Sequence, residues 1–403
     1  MKTRDLTRDL PAAAAVLRGG GLVAVPTETV YGLAGNGLDE EAVKKIYAVK
    51  GRPAVKPLSL MVPGAEAMER YCLDVPPAAK LLAGRFWPGP LTIVLRARPE
   101  IPEIVLAGGD TVGLRCPDHP LTLALLEKAG VPFAAPSANP SGEPSPKTAS
   151  EVLRYFDGAI DAVIDGGPCG VGVESTLISL AETPYRILRR GALDEDAIAA
   201  ALAEGLTLIG LTGGSGTGKT TALLELEKFG ALTIDCDAVY HELLENDRQL
   251  LGELEEAFPG TVAGGRLERK ALGARVFGDE KALARLNAIT HRHISAEVER
   301  RLKDWAMRGG RLAAVDAVEL ISSGLAARCD LTVGVLAAEE TRLRRIMARD
   351  AIGRDYALRR IRAQRSDAYY IANCDVVLYN DADQAKFTEE FKKTIKERLP
   401  WMT

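Results

Sequence analysis

A complete phosphate-binding loop lies in the middle of this chain, and it limits the local fold more than any other feature. Residues 213–220 read Gly-Gly-Ser-Gly-Thr-Gly-Lys-Thr and satisfy the pattern G-x-x-x-x-G-K-[ST]. Residues 207–211 read as a short buried strand before it, and residues 221–229 as the helix after it. Glycines let backbone N–H groups close around phosphate oxygens, and the helix N-terminus adds partial positive charge. The pattern therefore predicts a strand–loop–helix unit that binds nucleotide phosphates.

Two side chains give this loop its chemistry. Lys219 is expected to reach the outer phosphates, and the Thr220 hydroxyl to ligate magnesium. We expect the whole loop to contact the nucleotide, namely Gly213, Gly214, Ser215, Gly216, Thr217, Gly218, Lys219 and Thr220.

The length of the chain predicts two domains. Its 403 residues exceed the size at which a single core usually keeps growing, about 250–300 residues. Residues 194–196 start an Ala-rich helix that should end at Gly205, so we place the domains at 1–205 and 206–403. The six cysteines form no C-x-x-C pair, which disfavours a disulfide framework or a zinc site.

Composition excludes several classes of protein. The chain has no long apolar run and no N-terminal signal pattern, so we expect a cytoplasmic protein without a membrane segment. Its formal net charge is −4. Since neither half is strongly basic, stable DNA binding is not expected.

The first half carries several polar motifs, each after a strand-like apolar run. The first is Pro-Thr-Glu-Thr at residues 26–29, and a basic segment with two prolines follows at residues 50–57. The two prolines restrict the backbone conformations of this segment, and its three cations would suit a phosphate chain. The further motifs lie at residues 87–92, 113–117, 136–142 and 172–176.

In this order, these motifs resemble the YrdC-like family of threonylcarbamoyl-AMP synthases over residues 8–192. The resemblance implies an open, twisted α/β sheet with a cationic concave face. It also implies the joining of L-threonine, bicarbonate and ATP, with Mg²⁺, into threonylcarbamoyl-AMP and pyrophosphate. That product is the activated intermediate for modifying adenosine 37 of certain transfer RNAs, so tRNA-modification proteins are expected partners.

The resemblance also assigns roles to residues at matching positions. Threonine contacts are expected from Thr29, Arg115 and Ser175. ATP contacts are expected from Lys50, Arg52, Lys56, Thr111, Ser137, Asn139, Ser145 and Arg189. Nothing here looks like a covalent nucleophile, so we infer assembly by positioning and by charge stabilisation of the departing pyrophosphate. Met61 stands where the family often has histidine near the threonine.

In the second half, residues 232–237 predict a short strand ending in two carboxylates, Asp235 and Asp237. Such a strand end suits a kinase, because a general base would lie close to the γ-phosphate. Nine arginines fall between Arg342 and Arg365, which suggests a lid over phosphates.

These features, with the segments at 267–272 and 286–291, resemble dephospho-CoA kinase over residues 207–398. The resemblance implies a P-loop kinase domain with a parallel sheet, helices on both faces and an Arg-rich lid, which transfers the ATP γ-phosphoryl group to the 3′-hydroxyl of dephospho-CoA. Asp237 is then the expected base, Asp235 a magnesium-side ligand with Thr220, and Lys219 a catalytic phosphate ligand. Further expected roles fall to lid arginines and to the adenine border: Arg345, Arg349 and Asn380.

The second half departs from the family pattern on the acceptor side. The usual Asp-x-Pro-Leu-Leu-Phe-Glu run reads Asp-Ala-Val-Glu-Leu-Ile-Ser at 316–322, with Val318 for the proline and Ser322 for the glutamate. Arg292 replaces a proline, and Tyr370 replaces a lysine. ATP binding is therefore a firmer prediction than the identity of the acceptor, because acceptor contacts set specificity.

The leading interpretation is a bifunctional enzyme, and two alternatives stay open at this point. The first half could be an RNA- or nucleotide-binding module without catalysis. The second half could phosphorylate another small molecule, or only sense ATP.

Overall fold

The computed structural model describes residues 2–53, 55–381 and 383–399. The chain divides into two compact units, Met1–Gly205 with Met307–Gly309, and Leu206–Ala306 with Gly310–Thr403. Both units are α/β, as the sequence predicts.

The first unit alternates short strands and helices. In chain order they are β1 (Arg4–Asp5), α1 (Leu10–Arg18), β2 (Val23–Val25), β3 (Gly32–Asn36), α2 (Glu40–Lys50), β4 (Ser59–Met61), α3 (Ala67–Tyr71), α4 (Pro77–Phe86), β5 (Leu91–Arg96), α5 (Glu103–Leu106), β6 (Thr111–Arg115), α6 (Pro120–Ala129), β7 (Phe133–Ala134), α7 (Ala149–Phe156), β8 (Ala162–Val163), β9 (Thr176–Ser179), β10 (Arg186–Arg189) and α8 (Glu195–Glu204).

These strands form one mixed ten-stranded sheet in the order β1-β8-β2-β3-β7-β4-β6-β5-β9-β10. Its centre alternates in direction: β4 runs parallel to β6, β6 antiparallel to β5, and β5 parallel to β9. Helices α1 and α6 pack beside one another over a core that includes Leu17, Leu125 and Phe133. Helix α8 begins at the N-cap Asp194 and ends at Gly205, as predicted.

The second unit has fewer and longer elements. They are β11 (Thr207–Thr212), α9 (Lys219–Lys228), β12 (Leu232–Asp235), α10 (Cys236–Asn246), α11 (Arg248–Ala257), β13 (Val262–Ala263), β14 (Arg266–Leu267), α12 (Arg269–Val276), α13 (Glu280–Met307), β15 (Leu312–Asp316), a 3₁₀ turn (Leu325–Arg328), β16 (Leu331–Leu336), α14 (Glu339–Asp350), α15 (Arg354–Arg362), α16 (Asp367–Asn373), β17 (Val376–Tyr379) and α17 (Gln384–Arg398).

Five parallel strands form the second sheet, in the order β12-β15-β11-β16-β17. On one face, α9 and α17 bury Leu226, Phe387 and Phe391 against it. On the other face, Leu320 and Cys329 approach β11 so closely that only glycine fits at position 210. Parallel strands covered on both faces place their carboxyl ends at one edge, where ligands of such folds bind.

Among the described residues, no helix is both long and apolar enough to cross a membrane.

Two candidate nucleotide sites

A cavity of about 200 Å³ lies over the centre of the first sheet, where β4, β6, β5 and β9 run side by side. We call it the first cavity. It is lined by Val30, Gly32, Arg52, Pro57, Leu58, Ser59, Met61, Thr92, Arg115, Ala135, Pro136, Ser137, Glu174, Ser175, Leu177 and Arg189. Three arginines on one small cavity favour an anionic ligand.

Arg115 ends β6 and is almost fully buried. Its Nη2 donates to Glu28 Oε1 at 2.8 Å and to Thr29 Oγ1 at 2.7 Å. Glu28 Oε2 in turn accepts from the Asp118 backbone N–H at 3.0 Å. The Pro-Thr-Glu-Thr turn therefore fixes the arginine, and Thr29 is buried against it, as one hydroxyl of a pair with Thr27.

Arg189 reaches the opposite wall from the edge strand β10. Its Nε and Nη2 donate to Ser175 O at 3.0 and 2.8 Å, and Nη2 also donates to Ser175 Oγ. Ser175 Oγ lies 2.7 Å from Thr92 Oγ1. These contacts bring Ser175, just before β9, and Arg189 of β10 together with Thr92, for which no role was predicted.

Glu174 is the carboxylate of this wall. Ser145 Oγ donates to Glu174 Oε1 at 2.6 Å, and this bond is the main reason that the pKa of Glu174 is lowered. The backbone of Gly191 passes directly behind it: a Cβ there would lie 2.3 Å from Glu174 O and 2.5 Å from the Ser175 carbonyl carbon. Ser145 thus contacts the first cavity through Glu174.

Four of the predicted ATP contacts lie in different surroundings: Lys50, Lys56, Asn139 and Thr111. Lys50 is buried, with Nζ directed at backbone carbonyls of residues 137 and 139. Lys56 is exposed, and its carbonyl accepts from Arg52 Nε at 3.3 Å. Thr111 begins β6, at the opposite end of that strand from Arg115, and lines a separate polar hollow with Arg96 and Arg186. The structure therefore does not gather all the predicted ATP contacts into one cavity.

The phosphate-binding loop joins β11 to α9 as predicted. Three of its glycines have positive φ: 135° at Gly213, 80° at Gly216 and 93° at Gly218. Lys219 Nζ donates to Gly213 O at 3.0 Å and lies 3.7 Å from Asp316 Oδ1. The lysine is thus positioned across the mouth of the loop.

Asp316 lies beside Lys219 of the phosphate-binding loop, and no role was predicted for it, although it opens the run at 316–322. It ends β15 between β11 and β12, in register with Leu211 and Asp235. Within the described part of the chain its buried Oδ1 accepts no hydrogen bond. Burial, reinforced by the charges of Asp235 and Asp237, raises its pKa to about 6 against the opposing effect of Lys219.

The strand predicted at 232–237 is two residues shorter in the structure. Strand β12 ends at Asp235, whose Oδ1 caps α10 by accepting from the N–H groups of Asp237 and Ala238 at 2.9 and 3.2 Å. Asp237 therefore lies in the first turn of α10. The sequence missed this because an Asp preceding a helix is also an effective N-cap.

Asp237 faces a second cavity, of about 240 Å³. Its lining comprises Cys236, Asp237, Tyr240, Leu286, Asn287, Thr290, His291, Ile294, Ser295, Ala317, Val318, Glu319, Ser323 and Leu325. The lining mixes apolar side chains with polar ones, so the cavity suits an amphipathic ligand. His291 lines this cavity, whereas His293 is buried and paired with Asp247 at 2.8 Å.

Two side chains between β16 and β17 hold the first part of the loop. Arg342 Nε donates to Ser215 O at 3.0 Å and its Nη2 to Gln364 Oε1 at 2.8 Å. Gln364 Oε1 also accepts from Ser215 N at 2.9 Å, and its Nε2 donates to Ser215 Oγ at 2.9 Å. We call these three residues the Ser215 latch. A Cβ on Gly214 would lie 2.1 Å from Arg342 Nη2, so the latch requires glycine there.

The three residues predicted to lie at the lid and the adenine border occupy two different places: Arg345, Asn380 and Arg349. Arg345 Nη1 donates to Gly216 O and Thr217 O at 3.2 and 3.3 Å, and Asn380 Nδ2 donates to Thr217 O at 2.8 Å. Both therefore contact the loop backbone. Arg349 pairs with Asp350 at 2.7 Å, and the charge of Asp237 contributes to its raised pKa.

The fold is that of an α/β protein with two units, each with its own cavity. The family model Sua5_yciO_yrdC, described as Telomere recombination, matches residues 15–191. The family model CoaE, described as Dephospho-CoA kinase, matches residues 207–386.

Related proteins share the first unit. Threonylcarbamoyl-AMP synthase of Pyrococcus abyssi is 48% identical over 192 residues, covering 48% of this chain and 56% of that protein. The Bacillus subtilis enzyme is 48% identical over 191 residues, or 47% and 55%. A putative threonylcarbamoyl-AMP synthase of Methanocaldococcus jannaschii is 38% identical over 174 residues, or 43% and 81%. The chain belongs to the threonylcarbamoyl-AMP synthase family, and a dephospho-CoA kinase domain is fused to it.

The chain spans about half the length of the first two relatives. Among solved structures, P. abyssi Sua5 complexed with L-threonine matches with a TM-score of 0.47 and 30% identity, over 84% of this chain and 94% of that one. Dephospho-CoA kinase from Campylobacter jejuni matches with a TM-score of 0.32 and 22% identity, over 48% and 97%.

Proposed function

We propose that the chain is a bifunctional enzyme: its first unit makes threonylcarbamoyl-AMP and its second unit phosphorylates dephospho-CoA. The observation that carries the first half of this proposal is the convergence of Arg52, Arg115 and Arg189 on one cavity, in a unit whose relatives are threonylcarbamoyl-AMP synthases.

In the first cavity, Arg115 binds the threonine carboxylate, with Thr29 and Ser175 on either side. The threonine amine and bicarbonate form a carbamate and water. A carbamate oxygen then attacks the α-phosphorus of ATP, the bond to the β-phosphate breaks, and pyrophosphate leaves. Arg52 and Arg189 stabilise the charge on the phosphates, with Ser137 beside them. The product enters the modification of transfer RNA, with tRNA-modification proteins as partners and the cytoplasm as the proposed location.

In the second unit, Asp237 accepts the proton of the acceptor 3′-hydroxyl, whose oxygen attacks the γ-phosphorus while ADP leaves. Lys219 binds the outer phosphates, and Arg349 approaches from the lid side. The second cavity holds the acceptor.

Magnesium fits the residues of this site. The ion prefers oxygen ligands and is usually held by one or two carboxylates together with substrate phosphates. Thr220 and Asp235 would hold it. Buried Asp316 provides further negative charge beside them, because its Oδ1 accepts no hydrogen bond among the described residues and lies 3.7 Å from Lys219 Nζ. When bound, magnesium neutralises charge on the phosphate oxygens.

The test measures both products in one preparation with magnesium-ATP. Unmutated protein should form threonylcarbamoyl-AMP from threonine and bicarbonate, and CoA from dephospho-CoA. Lys219→Ala should abolish CoA formation and spare adenylate formation, whereas Arg52→Ala should impair adenylate formation and spare CoA formation. Exposed residues supply matched controls, Lys386→Ala and Arg154→Ala.

Each failure has its own meaning. Absence of threonylcarbamoyl-AMP with unmutated protein would leave a nucleotide-binding module in the first unit. ATP hydrolysis or binding without CoA would mean another acceptor, for which Glu319 in the cavity wall and Val318 in place of proline would be the first positions to examine.

A further inference from the structure

Lys50 is the last residue of α2, and its side chain runs into the protein. Only 3% of the residue is exposed. Its Nζ donates to Ser137 O and to Asn139 O, and lies 3.4 Å from Asn139 Oδ1. The ammonium group is therefore surrounded by oxygens of one segment, residues 136–143, which we call the Ser-x-Asn loop.

The Ser-x-Asn loop is tied to the same helix end by a second contact, because Ser141 N donates to Lys50 O at 2.8 Å. Asn139 Nδ2 folds back on Pro140 O and Glu143 O at 3.1 and 2.5 Å. On its other flank, Ala138 N donates to Tyr31 O at 2.8 Å. Lys50 thus contacts the loop through both its side chain and its backbone.

The electrostatics of Lys50 differ from those of a surface lysine. Within the described residues, its hydrogen-bond acceptors are all neutral amide oxygens. Burial, with a smaller contribution from the charge of Arg52, lowers its pKa to about 8. A buried ammonium without a carboxylate is costly, so its contacts with the loop must compensate for lost hydration.

Arg52, two residues further on, is placed in the opposite way. Its guanidinium lines the first cavity and donates to Pro57 O at 3.0 Å, so it is directed at the ligand space. Ser137 also lines the first cavity, whereas its carbonyl is bound by Lys50. Lys50 therefore contacts the part of the loop whose other atoms face the ligand.

We propose that Lys50 is a positioning residue that holds the Ser-x-Asn loop in its ligand-binding conformation, and that it does not itself bind phosphate. The catalytic consequence of this assignment rests on the proposed synthase function. The contact between Lys50 and the Ser-x-Asn loop is present in the ligand-free protein.

The test is amide hydrogen exchange of the ligand-free full chain, comparing unmutated protein with Lys50→Met. The matched control is Lys44→Met, an exposed lysine on the same helix. Exchange in peptides covering residues 137–143 should accelerate by about tenfold in Lys50→Met and stay unchanged in Lys44→Met. Unchanged exchange in Lys50→Met would overturn the proposal. A lysine that only binds phosphate would not affect the loop in the ligand-free protein.

Kinetics supply a readout that a general loss of structure would not give. In Lys50→Met the KM for ATP should rise by about tenfold while the KM for threonine changes by less than about twofold. Lys50→Arg, which keeps charge and donors, should recover part of the ATP affinity. Equal increases in both KM values would contradict a role confined to the loop.

The test also covers a variant that does not fold and a protein without synthase activity. If Lys50→Met does not fold, Lys50→Gln is measured in the same way, and unchanged exchange at residues 137–143 would again overturn the proposal. If unmutated protein makes no threonylcarbamoyl-AMP, the proposed function fails, whereas the exchange result still decides whether Lys50 orders the loop.

Discussion

Buried charged side chains lie at both sites, and each is compensated in a different way. Arg115 has a carboxylate partner in Glu28, Lys50 has only carbonyl oxygens, and Asp316 faces Lys219 at 3.7 Å. Buried ionisable groups in a cleft are candidates for functional sites, because burying a charge is costly unless chemistry requires it.

The pH dependence of stability tests the burial of Lys50. Its pKa falls from the ordinary 10.5 to about 8 in the folded protein. Between these values the unfolded chain binds more protons, so the contribution of Lys50 to the free energy of unfolding rises with pH. Urea denaturation at about pH 7.5 and about pH 9.5 should show unmutated protein gaining stability relative to Lys50→Met as the pH rises. A difference that is independent of pH would contradict this assignment.

Among the structural elements, the Ser215 latch has the clearest functional role. It connects the region after α15 and the start of α14 to the phosphate-binding loop through every polar atom of Ser215. Arginine and amide donors from other elements hold the loop carbonyls of Ser215, Gly216 and Thr217. The Arg-rich lid predicted from the sequence is therefore partly a support for the loop.

Gln364→Ala tests the latch. The change leaves the Ser215 N–H and one Arg342 donor without their partner, at a cost of about 1–3 kcal/mol. The KM for ATP in CoA formation should rise by about tenfold, since about 1.4 kcal/mol corresponds to that factor. Steady-state kinetics measure it, with the exposed Gln384→Ala as the control. An unchanged KM would exclude the latch as a determinant of ATP affinity.

The elements also show which features a sequence can predict. Strand β11, the loop and α9 are specified by adjacent residues, and α8 by its cap and terminal glycine, so all were predicted. The acceptors of Lys50 lie 87 and 89 residues away, and Ser215 lies 127 residues from Arg342. Local sequence patterns do not encode such distant pairs. From the sequence, Lys50 is therefore predicted to be a phosphate ligand. Asp237 was wrongly placed in the strand, because an Asp such as Asp235 can equally end a strand or cap a helix.

At the scale of the whole molecule, the chain has two sheets of different construction. The first is mixed and ten-stranded, while the second is parallel and five-stranded. In the second unit, the sheet depends on α17, which buries Phe387, Phe391 and Ile395 against it. Helix α17 therefore contributes directly to the core beneath the phosphate-binding loop.

Phe391→Ala should destabilise the second unit by about 3–5 kcal/mol, because removing a fully buried ring leaves a cavity. Phe277→Ala is a matched control, since 84% of Phe277 is exposed and its loss should change stability by less than about 0.5 kcal/mol. The measurement is the urea concentration at which ATP binding by the second unit is half lost. Equal midpoints for the two variants would contradict the assigned core.

Gly191 has a consequence for genetics. Its main chain lies against the backbone of Glu174 and Ser175 with no space for even a methyl group. In a saturation screen for synthase activity, every substitution at position 191 should be recovered as inactive, together with substitutions at Arg115. A ranking of positions by intolerance to substitution would then place Gly191, which has no side-chain functional group, beside Arg115.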